Sequence, residues 1–392
     1  MRSSYDIKIM GYKICVYAIC KNEIAFVDRW IKNVSEADYV VVLDTGSTDG
    51  TYERLKADPR ITKVVQKEIK PWRFDVARNE SMKLIPKDAD ICVCTDFDEL
   101  FNEGWAEVLR VGWRPDSNRG LYTFAWQLNE LGEPQDVFKY DKIHDNKNYK
   151  WIFPIHEILS VKDPEMLQNV VDFGETIYLK HYQDKSKPRK YYLDLLKVAC
   201  DENPTSPHVR MLYAREFLVQ DSTSKENVEN AKREYLYTLG MPRITEPDFK
   251  TVRIFTLVQL ALIYFNEPDY DKALSYCVQA MQLDYTMRDP YLILAETYNM
   301  LGLPALAEGV VAAAEEYTYR HYSWAERTNT FLGWLPETKA NVKARLGKYD
   351  EALTAIDEAL SHAPSDQRLL QVKKEYADAY VQQLKSKAGS VE

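Results

Sequence analysis

Two aspartates at positions 96 and 98 follow a short apolar segment in the stretch Asp-Ile-Cys-Val-Cys-Thr-Asp-Phe-Asp-Glu, residues 90–99. An apolar run that ends in Asp-x-Asp is typical of a buried parallel strand that delivers two carboxylates to the edge of a sheet, where open α/β sheets bind ligands. Carboxylate oxygens suit a hard divalent cation, which can also bind a diphosphate. An acidic strand-to-loop turn is the alternative interpretation of this motif. The ligand-binding interpretation therefore depends on matching motifs elsewhere in the chain.

Matching polar motifs follow other predicted elements in the same half of the chain. Residues 21–23, Lys-Asn-Glu, come after the first predicted strand, and Asp44-Thr-Gly-Ser-Thr-Asp-Gly-Thr comes after the second. Glycines and small hydroxyls let a backbone approach a ligand closely. Asp44 either accepts hydrogen bonds from a base or ribose or stabilises a turn. Arg78, at a predicted helix start, offers forked donors for a diphosphate, with a surface or capping role as the alternative.

The elements that must position these motifs alternate along the chain. Apolar runs predict strands at residues 12–20, 38–44, 64–67 and 91–95. Apolar residues at helical spacing predict helices at 24–34, 51–57 and 74–84. Strands separated by helices indicate a parallel sheet with right-handed crossovers. Further strands at 121–127, 152–160 and 176–182 predict a smaller mixed or antiparallel extension of that sheet.

Further residues in and beside this extension receive weaker predictions. Lys142 and His144 are candidates for contact with a donor or acceptor, whereas Asp141 and Asp145 are predicted to lie in a loop. Glu99, directly after the Asp-x-Asp motif, is a candidate for contacting the residues of that motif rather than the ligand itself.

The second half of the chain is predicted to be helical and repetitive. Alanines recur 34 residues apart, and each copy has a second alanine 12 residues after the first, with an insertion of 11 residues before the third copy. The pairs are Ala261 with Ala273, Ala295 with Ala307, and Ala340 with Ala352. This period, with small residues where two helices cross, is the tetratricopeptide pattern. Residues 212–239 are a candidate for a degenerate earlier copy, and generic helical hairpins are the alternative.

The order of the motifs resembles the GT-A glycosyltransferases of family two. The resemblance rests on Lys-Asn-Glu, Asp-Thr-Gly-Ser-Thr-Asp-Gly-Thr, Phe-Asp-x-Ala-Arg-Asn and Asp-Phe-Asp, in that order. Two later segments, at residues 151–157 and 181–189, resemble a subgroup whose catalytic domain precedes tetratricopeptide repeats. The resemblance implies an α/β GT-A catalytic domain with a Rossmann-like mixed sheet at residues 1–190. It implies an all-α tetratricopeptide-repeat domain at residues 191–392.

The resemblance also implies a nucleotide-sugar donor, a divalent cation and the residues that hold them. The cation would be Mn²⁺ or Mg²⁺, which as a Lewis acid offsets the charge that develops on a departing diphosphate. The residues implied to bind the nucleotide-sugar are Ile19, Glu23, Asp44, Arg78 and Asp96. The residues implied to bind the cation are Asp96, Asp98 and His181.

A general base is expected to remove the acceptor's proton as the acceptor attacks the sugar. Glu157 is the candidate, because the family has an acidic residue near this point and inverts the configuration at the sugar. This sequence has His-Glu where many relatives have Glu-Asp, so His156 is the competing candidate. A structural ion pair is the alternative for Glu157, and a core histidine is the alternative for His156. The expected activity is metal-dependent, inverting transfer of a sugar from a nucleotide-sugar, expected to be a UDP-sugar.

The acceptor is inferred from the repeats and from the charge. Helical repeats form an extended surface suited to a peptide, so a peptide or protein acceptor is expected. A surface glycan or a lipid-linked acceptor is the alternative. The net charge of −9 argues mildly against broad DNA binding but does not exclude a modified nucleic-acid acceptor. The repeats also suggest a homodimer, and a non-catalytic repeat scaffold is the competing class of function.

Composition gives expectations about the protein's location. No apolar run reaches the roughly 18 residues of a membrane helix. The first ten residues contain scattered charges and no apolar signal segment. The six cysteines include no Cys-x-x-Cys pair. Together these features predict a cytoplasmic protein with reduced thiols.

Overall fold

The computed structural model describes residues 11–184, 189, 191–317, 324–325 and 330–389. The chain divides into two compact units. Unit 1 is formed by the described residues up to 127 together with residues 138–199, and unit 2 by residues 128–137 and those from 200 onwards. The domain division after residue 190 stays a prediction.

The described strands form a mixed sheet of nine strands and a separate two-stranded sheet. The nine strands are β1 (Ile14–Cys20), β2 (Tyr39–Asp44), β3 (Lys63–Gln66), β4 (Ile91–Cys94), β5 (Glu99–Phe101), β6 (Arg119–Leu128), β7 (Pro134–Asp145), β10 (Val170–Asp172) and β11 (Tyr178–His181). Their order is β3-β2-β1-β4-β7-β6-β11-β5, with β10 beside β6. The small sheet pairs β8 (Tyr149–Ile152) with β9 (Ile158–Val161). The predicted mixed sheet in this part of the chain is thereby confirmed.

Parallel pairing brings the carboxyl ends of three strands to one edge. β1 runs parallel to both β2 and β4, with Cys20 opposite Asp44 and Tyr17 opposite Cys94. All four residues of β4 are buried, which explains its continuous apolar sequence. The loops after β1, β2 and β4 therefore emerge at the same edge of the sheet, as the alternation of strands and helices predicted.

Helix packing fixes the position of the loop after β4. The first five helices are α1 (Ile24–Val34), α2 (Thr51–Ala57), α3 (Phe74–Met82), α4 (Trp105–Gly112) and α5 (Tyr192–Glu202). On α1, Trp30 is fully buried and its indole Nε1 donates to Thr95 Oγ1 over 2.8 Å. The same ring stacks on Phe97 at a centroid distance of 4.2 Å. The residues that flank Asp96 are thus held against α1.

Two predictions about the sheet extension were wrong. Asp141 and Asp145 lie in strand β7 rather than in a loop, and β7 pairs antiparallel with β4. Its charged residues alternate with apolar ones, a pattern of a half-exposed strand. The predicted strand 152–160 is interrupted, because residues 153–157 connect β8 to β9. Phe153 and His156 have positive φ angles there, of 76° and 49°, which a regular strand does not allow.

Unit 2 consists mainly of helices that pack as consecutive pairs. They are α6 (Pro207–Asp221), α7 (Lys225–Leu239), α8 (Lys250–Asn266), α9 (Tyr270–Leu283), α10 (Asp289–Met300), α11 (Pro304–Glu315), α12 (Leu335–Arg345), α13 (Tyr349–His362) and α14 (Gln367–Gly389). The pairs α6 with α7, α8 with α9, α10 with α11 and α12 with α13 pack against each other. None of the described helices is both long and apolar enough to cross a membrane.

The repeated alanines lie where paired helices pack. All six are fully buried: Ala261, Ala273, Ala295, Ala307, Ala340 and Ala352. Close approach of two helices requires small side chains at their crossing, which gives the 34-residue spacing its physical cause. The predicted helical repeat is therefore confirmed, and the candidate copy at 212–239 is the hairpin of α6 and α7.

Substitution of a buried repeat alanine should destabilise unit 2. We expect Ala307→Leu to lower the free energy of unfolding by about 1–3 kcal/mol, because added methylenes have no space at the helix crossing. Ala305→Leu on the same helix is the matched control, since Ala305 is exposed and its substitution should change stability by less than about 0.5 kcal/mol. Urea unfolding followed by circular dichroism measures both. Equal effects of the two substitutions would contradict the repeat packing.

Candidate active site

A partly buried chain of ion pairs lies where β4 ends. Arg78 on α3 donates through Nη2 to both oxygens of Asp96, at 2.9 and 3.1 Å. Lys142 on β7 places Nζ 3.0 Å from Asp96 Oδ2 and 3.0 Å from Glu99 Oε1. Glu99 Oε2 accepts from the backbone N–H of Asp96 over 2.9 Å. Residues from α3, the β4–β5 loop, β5 and β7 thereby form one connected network.

The protonation states of this network follow from burial and from opposite charges. Burial raises the pKa of Asp96, but Arg78 and Lys142 outweigh it and hold that pKa well below its usual range. Burial lowers the pKa of Lys142, but Asp96 and Glu99 outweigh it and raise that pKa. Burial also raises the pKa of Glu99. The central contact is thus an ion pair between Asp96 and two buried cations.

Arg78 also connects this network to the candidate bases. Its Nε donates to Glu157 Oε1 over 2.5 Å, and its guanidinium lies over the Trp151 ring at 5.2 Å. Asn79 holds Trp151 through both backbone groups, at 2.8 and 3.0 Å. His156 makes an edge contact with Tyr192 at a centroid distance of 6.2 Å. The bend between β8 and β9 is therefore anchored on α3, with Glu157 in an ion pair.

A second contact lies beside the network, between Asp98 and His181. His181 Nε2 is 3.3 Å from Asp98 Oδ2, and the two side chains are 8% and 13% exposed for His181 and Asp98 respectively. The other ring nitrogen, Nδ1, is 2.9 Å from the carbonyl oxygen of Trp126, on whose ring the imidazole stacks. Burial lowers the pKa of His181, but the contact with Asp98 outweighs it and raises that pKa. When neutral, a ring that donates Nδ1–H to the carbonyl presents its Nε2 lone pair to Asp98.

The oxygen and nitrogen ligands that Asp98 and His181 offer suit a divalent cation whose remaining ligands come from a diphosphate. Among the described residues, no group of three or more His, Cys, Asp or Glu side chains forms a metal site. Mg²⁺ is commonly bound by one or two carboxylates and by substrate phosphates rather than by an all-protein cage. The Nδ1 contact of His181 also fixes the ring orientation, as is usual for metal-bound histidines. Asp96 differs, because both of its oxygens contact cationic side chains.

Asp44 lies at the same edge of the sheet, two strands from β4. At a strand spacing of about 4.8 Å, the ends of β2 and β4 are about 10 Å apart. Asp44 Oδ1 accepts from Gly46 N, Ser47 N and Gln66 Nε2 at 2.8–2.9 Å. Burial raises the pKa of Asp44, and hydrogen bonds from Ser47, Gln66 and Gly46 outweigh it and lower that pKa. In this structure Asp44 stabilises its own loop.

Two other predicted nucleotide-binding residues belong to the same edge. Ile19 is half-buried in β1, opposite Leu43 of β2. Glu23 is buried directly before α1, and its backbone N–H donates to Thr51 Oγ1 over 2.8 Å. The structure thus brings Arg78, Asp96 and Glu157 into contact and separately pairs Asp98 with His181. It places Ile19 near the end of β1, Asp44 at the end of β2 and Glu23 directly before α1.

The role of Lys142 had only a weak signal in the sequence. Lys142 lies 46 residues after Asp96 in the chain, and no spacing rule connects them. The usable signal was a lysine beside the apolar Ile143 in an alternating segment, which indicates a strand that carries a charge on one face. The basic residues Lys185, Lys187 and Lys190, in the segment that supports the family resemblance, lie outside the described residues.

His144, a weaker sequence candidate, lies in a buried series of hydrogen bonds rather than at the sheet edge. Trp151 Nε1 donates to Tyr17 Oη over 2.9 Å, and Tyr17 Oη lies 2.7 Å from His144 Nε2. His144 Nδ1 is 2.6 Å from the carbonyl oxygen of Asp145. The ring is fully buried, and burial lowers its pKa to about 4. When His144 is neutral, every N–H and O–H donor in this series of hydrogen bonds has an acceptor.

The buried His144 predicts a loss of stability between pH 6.5 and pH 4. In that window the unfolded state binds a proton at His144 and the folded state does not, so the free energy of unfolding falls as pH falls. The contribution is about 3 kcal/mol over the window. Burial lowers the pKa of His208 to about 4 as well, so it adds in the same direction. Urea titrations at several pH values should show a smaller slope for His144→Gln, and an unchanged slope would contradict this assignment.

Comparison with known proteins gives only a partial structural likeness. No protein-family model matches the chain, and no curated protein matches it. A thermophilic tetratricopeptide-repeat protein of Thermus thermophilus is 20% identical, with a TM-score of 0.35, over 48% of this chain and 89% of that one. A tetratricopeptide-repeat protein of Parabacteroides merdae is 16% identical, with a TM-score of 0.37, over 50% of this chain and 68% of that one.

A third similar structure is YrrB, described as a tetratricopeptide-repeat protein with an unusual peptide-binding site. It is 16% identical, with a TM-score of 0.33, over 46% of this chain and 81% of that one. At TM-scores this low the likeness carries no argument about this chain. The helical repeat of unit 2 rests instead on its paired helices and buried alanines.

Proposed function

We propose that this chain is a metal-dependent glycosyltransferase of the GT-A type that transfers a sugar from a nucleotide-sugar, in the first instance a UDP-sugar. The observation that supports it best is the pairing of Asp98 with His181 beside the network of Arg78, Asp96 and Lys142, at the carboxyl edge of a parallel sheet. Open α/β sheets bind nucleotides at this edge.

The residues of the proposed site divide into a cation-binding pair and a supporting network. Asp98 and His181 would hold Mn²⁺ or Mg²⁺ together with the donor's diphosphate. When bound, the cation would offset the negative charge of the leaving diphosphate. Arg78 and Lys142 hold Asp96 in place, so the loop between β4 and β5 keeps Asp98 oriented toward His181. We assign Asp96 this positioning role in addition to its proposed contact with the donor.

Proton removal from the acceptor is proposed for Glu157, with His156 as the competing base. Arg78 contacts Oε1 of Glu157, so Oε2 is the oxygen that would take the acceptor's proton. The same contact fixes the orientation of the carboxylate, and a general base must be held within hydrogen-bond reach of the proton that it removes. His156 lies one residue earlier in the same bend, with a φ angle of 49°.

A peptide or protein acceptor is proposed because of unit 2. Paired helices in series form an extended surface that suits a peptide. Glycan, lipid-linked and modified nucleic-acid acceptors remain the alternatives, and self-association through the repeats is a further proposal. A non-catalytic scaffold is the second candidate function. The scaffold function is favoured because the carboxylates of Asp44, Asp96 and Glu157 each already bind groups of the protein in this structure.

Turnover of nucleotide-sugars separates these two functions. The full chain is incubated with a panel of UDP-sugars and Mn²⁺, and released UDP is measured with and without a chelator. Metal-dependent release of UDP, by hydrolysis or by transfer, supports the glycosyltransferase. If no nucleotide-sugar is turned over and UDP does not bind in the presence of Mn²⁺ or Mg²⁺, the scaffold function is supported instead.

A further inference from the structure

Arg29, on α1, lies against two aromatic rings and has no role in the function proposed above. Its guanidinium carbon lies 4.5 Å from the centre of the Phe26 ring and 5.1 Å from that of the Tyr182 ring. Phe26 precedes Arg29 by three residues on the same helix, and Tyr182 directly follows His181. Aromatic faces attract a guanidinium and hold its plane without using its N–H donors.

Two donors of Arg29 are buried without an acceptor. In the part of the chain that the structure describes, Nε and Nη2 are shielded from solvent and no hydrogen-bond partner lies within reach of either. A buried donor without a partner costs free energy, and more so on a charged group. A charged group held in this way is best explained by an anion that binds to it in another state of the protein.

The surroundings of Arg29 indicate which anion this is. The backbone N–H of Tyr182 donates to the carbonyl oxygen of Asp98 over 2.7 Å, so the ring against Arg29 is attached to the loop that carries Asp98. On the other side, the neighbouring Trp30 is hydrogen-bonded to Thr95 of the same segment. The ring that contacts Arg29 and the helix that carries Arg29 are therefore both hydrogen-bonded to the segment 95–98, which carries Asp98.

We propose that Arg29 binds the diphosphate of the nucleotide donor, opposite the cation at Asp98 and His181. This inference rests on the proposed function for the identity of the ligand, and on the geometry of Arg29 for the anion site itself. The forked guanidinium gives parallel hydrogen bonds to phosphate oxygens, and its charge would stabilise the diphosphate as the sugar departs. Phe26 and Tyr182 position the guanidinium, so the site exists before the ligand binds.

Binding titrations with three probes test this assignment. UDP, uridine and inorganic pyrophosphate are each titrated, with Mn²⁺ present, into the wild-type chain and into Arg29→Met. We expect Arg29→Met to weaken UDP and pyrophosphate binding by about 10- to 100-fold, the range for charge-assisted hydrogen bonds, and to leave uridine binding unchanged. Arg110→Met is the matched control, because Arg110 on α4 already pairs with Asp38. It should change none of the three affinities.

The thermal stability of the ligand-free protein supplies an independent readout. Methionine keeps the contact with both aromatic rings and removes the unpaired charge, so Arg29→Met should melt at the same temperature as the wild type or higher. Equal weakening of UDP and uridine, or no weakening of either phosphate ligand, would overturn the proposal. Wild-type binding of pyrophosphate without UDP would instead refute the proposed donor and keep the anion site.

Discussion

Asp98→Asn should reduce metal-dependent release of UDP from UDP-sugars by about 10²–10³-fold, the range for removal of one group that stabilises developing charge. The substitution keeps the size of the side chain and removes the negative charge that faces His181 Nε2. Because the cation is expected to have only two protein ligands here, the loss of one carboxylate should also weaken the binding of Mn²⁺ in the presence of UDP. Steady-state UDP release across a Mn²⁺ titration measures both effects.

Asp88→Asn is the control for this substitution. Asp88 is an exposed carboxylate paired with Lys13, outside the proposed site. Its replacement should leave UDP release and the Mn²⁺ dependence unchanged. If Asp98→Asn behaves like Asp88→Asn, the cation does not bind at Asp98, and the proposed mechanism loses its central group.

Arg78→Met should have the largest effect on stability, lowering the free energy of unfolding by about 3–5 kcal/mol. Arg78 is 4% exposed and contacts Asp96 and Glu157, so its removal leaves two partly buried carboxylates with fewer opposite charges. The penalty comes from those uncompensated charges more than from lost packing. Urea unfolding at pH 7 measures the change.

Two comparisons show whether the ion-pair network causes that loss. Arg243→Met removes the partner of Glu246 in an ion pair whose two side chains are both exposed, and should cost about 0–1 kcal/mol. Adding Asp96→Asn and Glu157→Gln to Arg78→Met should recover part of the stability, because the uncompensated charges are then gone. A loss below about 1 kcal/mol for Arg78→Met, or no recovery in the triple variant, would contradict the network as described.

Local patterns were enough to predict the edge of the sheet. β1, β2 and β4 are buried on both faces and therefore have continuous apolar sequences followed by polar loops. The repeat was also predictable, because buried alanines must recur wherever helices cross closely. By contrast, β7 alternates between apolar and charged residues, and its charges are paired with groups distant in sequence. The alternation indicates a strand, but it does not show which groups the charges of that strand contact.

The residues of the candidate site were predictable only where a short motif contained side chains whose types indicate a function. Asp96, Asp98 and Arg78 occur in motifs with clear functional alternatives, and Arg78 does contact Asp96. The contacts that define the network depend on long-range pairing, such as Lys142 with Asp96 and Arg78 with Glu157. The arrangement of Arg29 has the same cause, since Phe26 is a helical neighbour whereas Tyr182 comes from a strand end far along the chain.

The most direct test of the central claim is a crystal structure of the chain soaked with UDP and Mn²⁺, with anomalous scattering used to locate the metal. We expect one anomalous peak within coordination distance of an Asp98 carboxylate oxygen and of both phosphates, close to His181 Nε2. A peak elsewhere, or UDP bound with no metal between its diphosphate and Asp98, would contradict a metal-dependent transfer site at this edge of the sheet.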